Sequence, residues 1–123
     1  MSSIDAAEVI VDLLQRGHAV EFRVRGDSMH PVIREEDVVH VEPVRVVGVG
    51  DVVLVQAERG LTAHRVVSVR DDLVVTRGDN APEDDDPLPK ARVLGRVEWV
   101  MRKGRKRGVK KRWWRRLSGA TGS

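Results

Sequence analysis

Residues 20–41 read V-E-F-R-V-R-G-D-S-M-H-P-V-I-R-E-E-D-V-V-H-V. The stretch opens in the period-two alternation of a strand, breaks at Gly26–Pro31, and resumes as a valine-rich strand at Asp37–Val41. Strand, turn and strand within so few residues set the expectation of a β-rich body. The turn also raises a chemical question. Ser28 lies beside Met29 and ahead of Pro31, and a serine attacks nothing without a base to take its proton.

The rest of the chain repeats the pattern. Residues 51–57 (D-V-V-L-V-Q-A) predict another strand. Residues 61–70 and 73–76 predict a hairpin around Arg70-Asp71-Asp72. Residues 91–101 (A-R-V-L-G-R-V-E-W-V-M) predict a last long strand with a bulge at Gly95. Residues 4–16 carry apolar side chains at helical spacing, with Gly17 as the stop. The expected fold class is mainly β, one barrel-like or sandwich-like domain with a short N-terminal helix. The β body covers about residues 20–98 and the domain about 1–98; residues 99–123 hold the end of the last strand and a basic, Trp-containing tail.

Composition narrows the setting. The 123 residues include no cysteine, so no disulfide and no thiolate metal site enters the fold. No apolar run approaches the roughly 20 residues of a spanning helix. The opening M-S-S-I-D-A-A-E carries acids and no basic leader, which reads against a secretory signal. A cytoplasmic location is expected, with the inner membrane face as a peripheral option. The net charge of +3 conceals an asymmetry: residues 1–98 balance to −7 and residues 99–123 to +10.

Four histidines could serve as a base. His18 follows a helix exit, and His40 alternates with valines as a solvent-facing residue. His30 stands two positions from Ser28, too close along the chain for easy nucleophile–base geometry. His64 sits inside the apolar run A-H-R-V-V, where a surface strand more naturally carries threonine or lysine. The acidic loop G-D-N-A-P-E-D-D-D-P-L-P offers Asp79, Asp84, Asp85 and Asp86. Its prolines break the ligand spacing of a calcium loop, and no metal or other cofactor is expected. One of its aspartates could instead orient a histidine.

Four boxes in order resemble the signal peptidase I and SOS-repressor-type serine peptidases. Gly26, Ser28, Met29 and Pro31 match the nucleophile box. Residues 47–55 (V-G-V-G-D-V-V-L-V) are similar to the next strand, residues 63–69 (A-H-R-V-V-S-V) to the general-base box, and residues 76–85 (T-R-G-D-N-A-P-E-D-D) to the Gly-Asp-Asn box. Residues 93–97 are similar to the closing strand. Glu36-Asp37 replaces the usual Gly-Asp. His64 stands where most bacterial members carry lysine, as in the endoplasmic-reticulum, archaeal and sporulation-type enzymes.

The resemblance implies a serine endopeptidase cleaving a precursor or leader peptide. Ser28 is then the nucleophile and His64 the general base. Asp79 or Asp85 is the orienting acid, with Asp84 an ambiguous neighbour. An imidazole near its reference pKa of about 6.5 can take a serine proton at neutral pH, whereas a lysine near about 10.4 must first be desolvated. The Ser28 N–H is the implied oxyanion donor, and Gly26 lacks the hydroxyl that adds a second donor in some relatives. Met29 would line the substrate floor.

A membrane anchor and a DNA-binding helix-turn-helix are both missing from the pattern. The expectation is therefore a cytoplasmic processing peptidase rather than one acting on exported pre-proteins; the alternative is an inactive peptide-binding module or regulator of the same fold using the basic tail. Residues 102–116, cationic and carrying Trp113-Trp114, suit an anionic membrane or nucleic acid.

Overall fold

The computed structural model describes residues 3–44, 46–57 and 60–110. Helix α1 (Ser3–Gln15) precedes eight strands: β1 (Val20–Arg23), β2 (Val38–Glu42), β3 (Val52–Ala57), β4 (Gly60–Arg70), β5 (Leu73–Arg77), β6 (Leu88–Pro89), β7 (Val93–Arg102) and β8 (Arg105–Arg107). The protein is mainly β, with one helix, as its valine content dictates. The sheet is antiparallel and curled, in the order β1-β2-β7-β3-β4-β5-β6, with β8 added to β7.

Helix α1 ends as expected. Gly17 takes φ +88°, its N–H donates to Leu14 O, and the His18 N–H reaches back to Leu13 O, the paired bonds of a Schellman cap. The buried face of α1 carries Leu14, with Ile10, Val11 and Leu13 packed beside it.

The sheet buries both faces at its centre. Val52 and Leu54 of β3 join the main core with Val39, Val41, Val97, Val100 and Met29. Val53 and Val55 point the other way and pack with Val66 and Val74. This is why the V-V-L-V run is continuously apolar rather than alternating.

Strand β7 is the hub. It pairs β2 along one edge and β3 along the other. Both ladders slip by one residue, at His40/Val41 and at Leu54/Val55, on either side of Gly95. A Cβ at Gly95 would lie 2.6 Å from Glu42 O and 2.8 Å from a Val41 methyl, so only glycine lets β2 cross here.

Two strands escaped the sequence reading. β6 lies inside the proline-broken acidic loop and pairs only Leu73–Pro89 and Val74–Leu88. β8 lies in the stretch read from the sequence as a basic tail. β3 leaves β7 at Arg96, and β8 covers the edge that remains from Val100 to Arg102. Lys103 and Gly104 both take positive φ, +50° and +77°, as a two-residue type I′ hairpin requires. The sequence hides this strand because R-K-R shows no apolar alternation; backbone pairing alone makes it. Trp113 and Trp114 lie outside the described residues.

Asp37 locks the hairpin's root. Its carboxylate accepts the Arg34 N–H at 2.8 Å and two bonds from Arg102, at 2.9 and 2.8 Å. Burial opposes its ionisation, but the Arg102 hydrogen bond, the Arg34 N–H and the two cationic charges together outweigh it. The carboxyl is held below its ordinary value of 3.8. The outer face carries a second cluster. His40 is only 20% exposed rather than solvent-facing. Its ring stacks on Trp99 with centroids 4.6 Å apart, and its two nitrogens meet Glu21 at 2.8 Å and Glu42 at 2.5 Å. Burial alone would lower its pKa; the two carboxylates overcome this and raise it above 6.5.

Two outcomes follow. Asp37→Asn is expected to cost about 3 kcal/mol in urea unfolding at pH 7, because it removes a buried carboxylate and leaves the half-buried Arg102 without its partner. The folded-state pKa is depressed, so this deficit is complete above the unfolded carboxyl value and shrinks as pH falls through the folded one. His40→Gln has the opposite profile. The folded-state pKa is raised, so the stability gap to wild type is full below 6.5 and closes as pH rises through the folded value. Unfolding curves across pH 3–9.5 would separate the two.

Candidate active site

The Ser28 turn is held from three sides. Gly26 enters it with φ +86°, a conformation costly for any other residue, and its N–H lies 3.5 Å from Glu35 Oε1. The Ile33 N–H closes back onto Met29 O. From across the fold, the Asn80 N–H donates to Ser28 O at 2.9 Å and Asn80 Nδ2 to Asp27 O at 3.2 Å. Met29 is 3% exposed and sits in the core, where its sulfur accepts the Asp79 N–H at 3.3 Å.

His64 comes from β4, in register with Val53 of β3. Its Nε2 lies 3.1 Å from Ser28 Oγ and its Nδ1 2.5 Å from Asp85 Oδ2. A carboxylate can only accept, so Nδ1 carries the proton and Nε2 presents its lone pair to the hydroxyl. Residues 36 apart in sequence thus meet at hydrogen-bonding distance. His30 is exposed and bonds within its own turn, through its N–H to Asp27 O.

Asp85 is itself oriented. Its N–H donates to Thr76 O, and Thr76 Oγ1 donates to its Oδ2, both at 2.8 Å. Thr76 of β5 is 2% exposed and pairs Val66 of β4, two residues from His64, so it shares a sheet face with His64. The sequence reading gave this threonine no part. Its one signal was a hydroxyl at an inward strand position directly before the Arg-Gly-Asp-Asn run.

The other acids go elsewhere. Asp79 takes a bidentate pair from Arg65, at 2.8 Å to each oxygen, with the two side chains only 3% and 2% exposed. Arg65 also donates to Gly50 O and Val109 O. Asp84 pairs with Arg77 at 3.6 Å. Of the candidate orienting acids, Asp85 stands at the imidazole, while Asp79 anchors the loop that grips the Ser28 turn. Among the described residues, no three His, Asp or Glu side chains are placed to hold a metal ion. None of the described helices is long and apolar enough to cross a membrane.

A family profile described as Peptidase S24-like matches residues 2–98. The chain belongs to the peptidase S24-like family. No curated protein matches the sequence. The S24-like match spans α1 through most of β7 and so includes Ser28, His64 and Asp85. Membership points to a serine peptidase or repressor-type fold, a family that also holds inactive members.

Gly78 shows how tightly this S24-like site is closed. A Cβ there would fall 2.6 Å from Ser28 O, 3.1 Å from His64 Nε2 and 3.3 Å from Ser28 Cβ. Gly78→Ala is therefore expected to lengthen the Ser28–His64 contact. The measurement is reaction of Ser28 with a small fluorophosphonate, followed by intact mass. Labelling should slow at least about tenfold, since displacing a reacting group by about 1 Å can cost about a hundredfold.

Proposed function

We propose that the protein is a serine endopeptidase of the Ser-His type that cleaves a precursor or leader peptide. The observation that carries this reading is the continuous chain from Ser28 Oγ through both nitrogens of His64 to Asp85. Ser28 Oγ attacks the peptide carbonyl carbon as its proton passes to His64 Nε2. Asp85 keeps the ring in the reactive tautomer and faces the imidazolium that forms. The C–N bond breaks as Nε2 returns the proton to the leaving amine. A water, deprotonated by the same nitrogen, then frees the acyl group from Ser28.

The surroundings support a peptide substrate. A cleft of about 1350 Å³ opens beside Ser28. That exceeds the roughly 300–1,000 Å³ typical of small-molecule pockets. One wall is Arg23–Gly26, at the end of β1, which pairs only β2. The other is Gly60–Ala63 of β4. This half of β4 pairs β3, and its opposite edge is taken by β5 only from Arg65 onward. Two strand edges thus flank the cleft, and an extended peptide can hydrogen-bond to them as an added strand. Apolar side chains of α1, including Ala7, Ile10 and Val11, cover one side. Among the described residues the Ser28 N–H has no acceptor, which leaves it for the developing oxyanion.

The test is active-site labelling. A fluorophosphonate should give one mass adduct on Ser28, absent in Ser28→Ala. His64→Ala and Asp85→Asn should each slow labelling by roughly 10²–10⁴. A folded wild type that takes no label would sink the enzyme reading. If that unlabelled protein still bound extended peptides, and Ser28→Ala bound them equally, it would be a binding module.

A further inference from the structure

Among the described residues, five of the ten body cations face a carboxylate, but only one of the six beyond residue 98 does. Arg16, Arg23, Arg65, Arg77 and Arg96 each face a carboxylate. In the hairpin, Arg102 is spent on Asp37, and Lys106 sits 4.3 Å over the Trp99 ring. The remaining four cations, Lys103, Arg105, Arg107 and Lys110, are exposed and have no carboxylate partner among the described residues. Lys103, Arg105 and Arg107 stand on the ordered β7–β8 hairpin, and Lys110 follows it. From residue 99 to the end the sequence contains no acid at all.

We infer that this hairpin is a docking surface for an anionic lipid bilayer. Three uncompensated cations on one short hairpin, with Lys110 just past its end, form a concentrated positive surface, which attracts phosphate headgroups within a Debye length. Nucleic acid fits the described surface less well. Base stacking needs an open aromatic face, and the described Trp99 ring is already stacked on His40 and capped by Lys106. The root of the surface is held firmly, since Val109 is 5% exposed and its carbonyl accepts from Arg65 at 2.7 Å. A bilayer bound there would therefore lie in a set orientation to the Ser28 cleft.

The experiment uses the full chain and vesicles of phosphatidylcholine with or without about 30 mol% phosphatidylglycerol, a composition carrying the required surface charge. Co-sedimentation should show binding to the anionic vesicles only, weakening as salt rises. The Lys103→Gln, Arg105→Gln, Arg107→Gln triple variant should bind roughly a hundredfold more weakly, at about fivefold per cation. Its melting temperature should match wild type, since none of the three side chains has a partner to lose. Single- and double-stranded DNA oligonucleotides, read by anisotropy, should bind more weakly than anionic vesicles. Failure to bind anionic vesicles, equal binding by the triple variant, or tighter binding to DNA would each overturn the inference.

Discussion

The buried Arg65–Asp79 pair is the constraint on which the site rests. A guanidinium removed from water is tolerable only if its donors are met, and here a bidentate carboxylate and two backbone carbonyls meet them. Each partner belongs to a different part of the fold. Asp79 brings the loop that grips the Ser28 turn through Asn80. Gly50 belongs to the turn leading into β3. Val109 belongs to the segment leaving β8. One side chain therefore ties the Ser28 turn, the central strand and the C-terminal hairpin to β4, next to the histidine that β4 delivers.

Burial settles the roles of neighbouring acids. Asp79 and Asp85 lie in one loop, six residues apart, yet their side chains serve opposite ends of it. Asp79 neutralises a fully buried cation. Asp85 is 37% exposed and stands between Thr76 and His64. The same division recurs at a distance. Asp37 and Asp51 both accept a backbone N–H at the turn before a valine strand, and both face an arginine of β7. The short repeated V-V motif after each aspartate thus marks two similar turn-to-strand entries, without a duplicated domain.

Much of this was legible in the chain. Helix α1, its glycine stop and six of the strands followed from apolar periodicity and turn residues, because those signals are local. Gly95 was legible as an irregularity, and the crossing of β2 explains it. β6 and β8 were not, since each exists only because a neighbouring strand leaves an edge to pair. His40 was misplaced for a related reason. Alternation with valines put it on the outer face correctly, but Glu21 and Trp99 come from other strands, and only they make that face partly closed.

The sequence by itself determined the β-rich class, the positions of Ser28, His64 and the Gly-Asp-Asn loop, and the split between an acidic body and a basic end. It could not choose between Asp79 and Asp85, give Thr76 a place, or tell that the basic end begins as an ordered hairpin. Those outcomes depend on which backbone passes within about 3 Å of which side chain, and on which charge is denied water. Distances and burial of that kind arise only when the sheet curls and brings β1, β4 and the 78–85 loop together.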